Sequence, residues 1–269
     1  MRGPVFGKLT AIVIAVALAT TTQALAGPPF LTDDPVPAPY HGYEGYAFVM
    51  IDKDAGNSTT TSGPAFEFNY GPFRNVQLSV TVPFTFLSVP ATANQNVPQS
   101  IPGTTVSGFG DTELGLKYRL LQENASSPQI SFYPSVELPT GNGSNGVGNG
   151  RAWWRFPFWA QKSWGRWTTY GGGGYAVNGA PGQKNFPFAG WLVQRDLSDY
   201  VSAGAEVYYQ GAQFAGDRAS TFYNVGSEIG LTKDFSVLFS IGHTVSGDNQ
   251  SVAYFALGWT GLFQRSAHP

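Results

Sequence analysis

The chain has 269 residues, no cysteine and a formal net charge of −2 at pH 7. The absence of cysteine excludes a disulfide framework and thiol chemistry, and so small a charge gives no reason to expect nucleic acid as a partner. Charged residues are only 12% of the chain, against about 25% in typical soluble domains, while aromatic residues reach 15%.

The N-terminal stretch has the three parts of a secretory signal. Arg2 and Lys8 precede an apolar run, residues 9–18, and Ala24-Leu25-Ala26 supplies the small residues of a cleavage site. The run is shorter than the about 20 residues that a helix needs to span a bilayer, which disfavours the alternative of an uncleaved anchor. We predict that residues 1–26 are a signal peptide and that the mature chain is exported.

A proline-rich leader follows at residues 27–42. Five prolines between Gly27 and His41 predict an extended, irregular segment on the periplasmic side, or a plug if it enters the domain that follows. Asp33, Asp34 and His41 could be imagined as metal ligands, but this spacing defines no coordination geometry. We therefore predict no metal site and no cofactor.

From Tyr43 onward, strand-like runs alternate with turn-like runs. In residues 108–121, Leu114, Leu116 and Tyr118 fall on one face with a period of two, and charged residues fall on the other. A strand of a soluble sandwich or of an outer-membrane barrel would show this pattern. The twelve predicted strands are 43–52, 63–70, 76–87, 109–121, 129–139, 153–163, 167–177, 187–195, 200–210, 221–231, 235–244 and 252–263.

The connections favour the membrane barrel. Long and short connections alternate without exception between these spans, as the external loops and periplasmic turns of an up-and-down barrel do. A Greek-key sandwich has no reason to alternate so regularly. We predict an all-β, transmembrane antiparallel barrel over residues 43–263 and a C-terminal tail at residues 264–269.

The two faces of the strands agree with lipid outside and a polar lumen inside. Predicted outward residues on the third strand are Val76, Leu78, Val80, Val82, Phe84 and Phe86, and their neighbours include Gln77, Ser79 and Thr81. Inward aromatic candidates, which could form an apolar path or simply fill the lumen, are Tyr46, Phe48, Tyr133, Tyr208 and Phe222. The glycines at 171–174 are interpreted as permitting a bend or close packing.

Charged residues on the predicted inner face are the candidate lumen or substrate path. They are Asp111, Glu113, Lys117, Arg119, Glu137, Arg155, Glu206 and Glu228. The predicted register places Glu137 near Arg155 and near the strand of Asp111 and Glu113, in the external half. Opposed charges can orient a polar permeant in a transverse field. The alternative is a set of salt bridges that only fills the lumen.

Other chemistry has weaker support. The glycine-rich residues 140–150 lack the Lys-Ser or Lys-Thr of a phosphate-binding loop and are predicted to form a flexible external loop. An outer-membrane lipid hydrolase would need His243 beside Ser240 or Ser246 and an orienting group. An interfacial polar role for His243 is the preferred interpretation, so no catalytic residue is predicted.

Two stretches resemble a known family. Residues 27–35, GPPFLTDDP, and Gly108-Phe109-Gly110-Asp111 with the LGLKY of residues 114–118 resemble outer-membrane transporters associated with the meta-cleavage pathway of phenol degradation. The resemblance implies a barrel concerned with uptake of small, often aromatic or hydrophobic compounds, and it assigns no binding residues.

The sequence therefore predicts a non-enzymatic barrel in the outer membrane of a Gram-negative bacterium. Its partners would be membrane lipid and a small-molecule permeant, and self-association to a homo-oligomer stays open. The runner-up is a structural or surface-interaction barrel with a closed lumen.

Overall fold

A computed structural model describes residues 29–54, 56–91 and 103–262. The predicted signal peptide and C-terminal tail lie outside these residues. Within them, no helix is long and apolar enough to cross a membrane.

The described residues form fourteen β-strands and one turn of 3-10 helix, Gly143–Asn145. The strands are β1 (Gly42–Lys53), β2 (Thr59–Phe73), β3 (Val76–Val89), β4 (Thr104–Phe109), β5 (Thr112–Leu121), β6 (Gln129–Phe132), β7 (Ser135–Leu138), β8 (Trp153–Trp164), β9 (Trp167–Asn178), β10 (Phe186–Asp196), β11 (Val201–Gln210), β12 (Ser220–Gly230), β13 (Phe235–Ser246) and β14 (Ser251–Leu262).

These strands close into one antiparallel barrel. Successive full-length strands pair with each other, and β1 pairs with β14 from Gly42 opposite Leu262 to Lys53 opposite Ser251. The segments β4 and β5 both pair with β3, and β6 and β7 both pair with β8, so each couple is one interrupted strand. The prediction of twelve antiparallel barrel strands is confirmed.

The interruptions were not expected. Strands were predicted to run unbroken through 109–121 and 129–139, but the ladder breaks at residues 110–111 and 133–134. Pro134 has no N–H to give to the ladder, which accounts for the second break. Neighbouring backbone bonds bridge the gap, from Leu116 N–H to the Pro134 carbonyl at 3.0 Å and from Tyr133 N–H to the Pro157 carbonyl at 3.1 Å.

The connections define two ends of the barrel. The short-turn end has residues 74–75, 122–128, 165–166, 197–200 and 231–234, and the long-loop end has 54–58, 90–103, 139–152, 179–185, 211–219 and 247–250. The predicted alternation is wrong at the last loop, because 247–250 is no longer than 231–234. Val245 and Ser246, which were predicted to lie in the loop, continue β13, and Ser251 begins β14.

Burial alternates along the strands as predicted. On β3, Gln77, Ser79 and Thr81 are buried inside the barrel, whereas Leu78 and Phe86 are exposed on its outer surface. The outer surface includes very exposed apolar side chains such as Trp191 and Ile241. An apolar surface of this extent requires lipid around it.

The glycines of β9 allow close approach of the neighbouring strands. A Cβ on Gly172 would lie 2.0 Å from the Phe158 carbonyl oxygen of β8, and one on Gly173 would lie 2.4 Å from the Phe188 carbonyl oxygen of β10. The interpretation of this run as a close-packing device is confirmed.

A charge on the outer surface should destabilise the barrel according to depth. We expect Ile241→Arg, in the middle of β13, to lower the free energy of unfolding in lipid by about 2–4 kcal/mol, and Val245→Arg, near the end of the same face, by about 0–1 kcal/mol. The measurement is equilibrium unfolding in urea followed by tryptophan fluorescence. Equal losses at both positions would contradict a membrane-embedded face.

Candidate functional site

The leader segment, residues 29–41, lies inside the barrel. Phe30, Leu31, Thr32 and Asp33 are all buried, with Thr32 fully inaccessible. The Glu206 carboxylate on β11 accepts hydrogen bonds from the backbone N–H groups of Leu31 and Thr32, each at 2.7 Å. These bonds fix the N-terminal part of the leader segment on the β11 side of the lumen.

The same segment is fixed to the opposite side by Lys117 on β5. Its ammonium lies 3.1 Å from the Asp33 carboxylate and donates to the Asp34 carbonyl oxygen at 2.8 Å. Lys117 and Asp33 are both almost fully buried. Removal of one member of a buried ion pair is strongly destabilising, because the other charge is left buried without a partner.

Neutral polar residues complete the attachment, and the sequence did not single them out. Gln129 and Ser131 on β6 donate to the Pro35 carbonyl, and Gln77 on β3 accepts from the Ala38 N–H at 2.7 Å. On β13, the Ser240 hydroxyl donates to the Pro29 carbonyl. Their inward parity was readable from the alternation, but nothing in the sequence showed that a segment of backbone would meet them.

Behind the leader segment, the inner wall has small residues. A Cβ on Gly190 would meet the Thr32 side chain at 2.0 Å, and a Cβ on Gly204 would lie 3.0 Å from the Phe30 ring. The leader segment, and not side chains of the wall, therefore fills this part of the lumen.

The loop of residues 139–152 folds over the long-loop end. The Asp111 carboxylate accepts from the backbone N–H groups of Gly141 at 2.8 Å and Asn149 at 2.5 Å, and Val147 is buried. The prediction of a flexible loop is wrong, because Asp111 satisfies the loop backbone as a cap would. Asp111 holds this loop and is not a free charge of the lumen.

Below that loop, Glu113 and Arg155 form an ion pair of 2.6 Å. The guanidinium also lies 5.7 Å from the centre of the Trp153 ring. Glu113 of β5 lies directly opposite Glu137 of β7. The predicted proximity of Glu137 to the strand of Asp111 and Glu113 is therefore confirmed. Arg155 and Glu137 lie on paired strands, diagonally across the register of β7 and β8, so the predicted proximity of Glu137 to Arg155 is confirmed.

The remaining predicted residues lie near the short-turn end. Arg119 donates to the Asn75 side chain from two nitrogens, at 2.9 and 2.6 Å, and Glu228 lines an open pocket with Arg166 and Asp199. The structure thus divides the predicted residues into three groups. Asp111, Glu113, Glu137 and Arg155 lie toward the long-loop end, Lys117 and Glu206 hold the leader segment, and Arg119 and Glu228 lie at the short-turn rim.

Aromatic residues cover much of the inner wall. One buried cluster on the β8 to β12 side contains Trp153, Trp159, Phe186, Phe188, Tyr208 and Phe222, with Leu31 of the leader segment packed among them. A second contains Phe48 and Tyr254 beside Tyr46. The five aromatic residues predicted to point inward, Tyr46, Phe48, Tyr133, Tyr208 and Phe222, all belong to these clusters or pack against them.

The alternative catalytic arrangement does not assemble. His243 pairs with the Ser251 hydroxyl at 2.9 Å, whereas Ser240 is buried on the inner face and holds Pro29. Because they alternate across β13, Ser240 and His243 cannot form a nucleophile and base pair. Among the described residues, no group of three or more His, Asp or Glu side chains could hold a metal ion.

Loss of the Lys117 ammonium should loosen the leader segment. Since the chain has no cysteine, Leu31→Cys provides a single thiol at a buried position. We expect adding Lys117→Met to raise the maleimide labelling rate of that thiol by at least about tenfold, because breaking a buried ion pair costs about 3–5 kcal/mol. Lys162→Met, which removes a partly exposed pair with Glu123, is the matched control and should leave the rate unchanged. Equal rates in the two variants would contradict the anchoring role of Lys117.

Comparison with solved structures identifies the fold. The chain is similar to an outer membrane channel from Pseudomonas putida F1, with a TM-score of 0.62 and 15% identity over 85% of this chain and 98% of that chain. It is also similar to the translocator domain of the autotransporter NalP from Neisseria meningitidis (TM-score 0.52, 9% identity, 82% and 90% of the chains) and to the NanC porin (0.51, 9%, 81% and 99%). No curated protein matches the chain. These likenesses show a β-barrel of the outer-membrane type.

The family is shown by sequence. A family model described as "Putative MetA-pathway of phenol degradation" matches residues 56–259, well over half of the 269-residue chain. The match extends from the first long-loop connection into β14 and includes the LGLKY stretch that carried the resemblance. The chain belongs to this family.

Proposed function

We propose that the chain is a channel of the Gram-negative outer membrane through which small molecules diffuse, with the leader segment as its plug. The observation that carries this proposal is the small-residue wall behind that segment. If the segment withdraws, Gly190 and Gly204 leave space where a barrel packed by its own side chains would have none. Twelve strands also lie between the eight that side chains can fill and the sixteen that leave an open pore.

Reversible attachment of the plug is consistent with its contacts. Apart from Phe30 and Leu31, the leader segment is held mainly by hydrogen bonds and by the Lys117 ion pair. Water can replace such partners one by one as the segment moves, because hydrogen bonds to protein and to water are nearly equivalent in net energy.

Small aromatic or hydrophobic compounds are the proposed solutes. The description of the family refers to phenol degradation, and the inner wall of β8 to β12 is rich in aromatic side chains. Aromatic rings attract both flat apolar solutes and weakly polar hydroxyl groups. The Glu113–Arg155 pair, at the long-loop end of this wall, would orient a polar substituent as the solute enters.

We propose diffusion without covalent chemistry. His243 faces outward beside Ser251, and among the described hydrogen bonds and ion pairs none joins it to a carboxylate that could orient it as a base. A closed structural barrel is the remaining alternative, since a permanently docked leader segment and a folded 139–152 loop are also what such a barrel would need.

Single-channel conductance in planar bilayers distinguishes a channel with a movable plug from a closed structural barrel. We expect deletion of residues 29–38 to raise the conductance by at least about twofold, because the deleted segment contacts strands on both sides of the lumen. Folding of each variant is verified by heat-modifiable gel mobility. Absence of current from both the complete and the shortened folded chain would refute the channel and favour the closed barrel.

A disulfide gives the matched control. The Cβ of Thr32 lies 3.0 Å from the position of a Cβ on Gly190, shorter than the about 3.5–4.5 Å of a disulfide, so the bond needs a small shift of the leader segment away from β10. With that shift, Thr32→Cys with Gly190→Cys should tie the plug to β10. We expect this variant to stay at low conductance when oxidised and to open after reduction. A conductance that is unchanged by reduction would contradict movement of the leader segment.

A further inference from the structure

The inner faces of β1 and β2 carry a group of acidic and polar residues to which leader residues 29–38 make no hydrogen bond in the described structure. Glu44 lies directly opposite Asn69, and Tyr46 directly opposite Glu67, so that the four side chains form one patch. The hydrogen bonds of residues 29–38 with the barrel go instead to β3, β5, β6, β11 and β13. Binding of a solute at these four side chains would therefore break none of these bonds.

The carboxylates of the patch are not neutralised by the protein. No salt bridge within the described residues joins Glu44 or Glu67 to a basic side chain. The basic side chains Lys117 and Lys233, which lie on this side of the barrel, each have an acidic partner of their own: Lys117 pairs with Asp33, and Lys233 pairs with Asp234. A cationic solute would therefore find uncompensated negative charge on this side of the lumen.

A buried oxygen of the patch lacks a partner. Asn69 is only 3% exposed, and its amide nitrogen donates to Glu67 at 2.8 Å, which leaves the amide oxygen pointing away from that bond. This oxygen has no hydrogen-bond partner in the described structure. Buried polar atoms are normally satisfied, so an unsatisfied one beside a carboxylate indicates a place for a donor or a cation.

The surroundings favour an organic cation over a small metal ion. Tyr46, two residues from Glu44 on the same face of β1, packs against the apolar cluster of Phe48, Met50 and Tyr254. Carboxylates beside aromatic faces bind alkylammonium groups, whose positive charge is spread over apolar methyl or methylene groups. Further along the inner face of β1, Asp52 places another acidic group toward the long-loop end.

We propose that Glu44, Tyr46, Glu67 and Asn69 form a binding position for organic cations, which makes the channel prefer ammonium-bearing solutes to anions. The proposal rests on the channel function proposed above and specifies the charge of its solutes. Glu44 also lines a pocket at the short-turn end with Pro39, Thr260 and the Lys233–Asp234 ion pair. Rings of acidic side chains select cations in other channels by the same electrostatic means.

The test compares two aromatic ions of fixed charge. Benzyltrimethylammonium and benzenesulfonate have similar size, and neither can lose its charge to cross lipid in neutral form. Uptake of each into liposomes that contain the complete chain is measured at about pH 9.5, so that Glu44 and Glu67 are both charged. We expect benzyltrimethylammonium to enter roughly tenfold faster or more, as follows from a unit charge near two carboxylates.

Glu44→Gln with Glu67→Gln should abolish most of this difference, because both substitutions keep the side-chain shape and remove the charge. Glu123→Gln with Asp199→Asn removes the same number of charges from the short turns, where Lys162 and Arg166 pair with them, and should keep the difference. The hydrogen bond from the Ser163 N–H lowers the pKa of Glu123, so the control carboxylate is charged at the pH of the assay.

The outcomes are distinguishable. Equal uptake of both ions by the unchanged chain, each above protein-free liposomes, would overturn the cation preference and leave the channel standing. A preference that survives Glu44→Gln with Glu67→Gln would overturn the role of this patch. Uptake of neither ion, together with absence of current from the same preparation, would overturn the channel and the preference together.

Discussion

The hydrogen-bonding demand of the backbone in lipid is the constraint on which the structure depends. An unpaired N–H or C=O group has no water to bond in the hydrocarbon, so a sheet that crosses the membrane must close on itself. Pairing of β1 with β14 over their whole length meets this demand. The break at Pro134 meets it locally, because Leu116 and Tyr133 contribute bonds across the gap. An open edge anywhere else would expose such groups to lipid.

Closure creates the second problem, which is how the interior is occupied. Twelve strands enclose more space than their inward side chains fill when several of those positions are glycine. The leader segment takes that space, and its backbone polar groups require partners in turn. Glu206 on one side and Lys117 on the other supply them, which explains why two charged residues are buried in the middle of the lumen. These charges stabilise a segment of the protein, and a permeant would meet them only when that segment moves.

The charged residues toward the long-loop end have a different arrangement. Asp111 caps the backbone of the 139–152 loop, and Glu113 is neutralised by Arg155. The acidic side chains of β1 and β2 have no such compensation from basic residues of the described chain. Negative potential is therefore concentrated on one wall, opposite an aromatic wall formed by β8 to β12. A solute with one charged end and one aromatic end could therefore use the acidic wall and the larger aromatic wall together.

The alternation of polar and apolar residues determined the barrel by itself. It was sufficient for the strand number, the two faces and the distinction of short turns from long loops, because a period of two reports directly which side of a strand meets lipid. It also placed the charged candidates on the inner face. It did not give the strand ends at the last loop, where β13 and β14 extend beyond the predicted residues. Polar residues at the rim are compatible with both a strand ladder and a turn, so their pattern does not mark the boundary.

Only the tertiary structure decided what the inward charges do. Lys117 and Glu113 share a face of one strand, yet one binds the leader segment and the other binds Arg155. Parity gives the face of a residue but not its partner, because partners come from segments distant in sequence whose position depends on the closed barrel. The entry of residues 29–41 into the lumen and the folding of the 139–152 loop onto Asp111 both arise from such contacts.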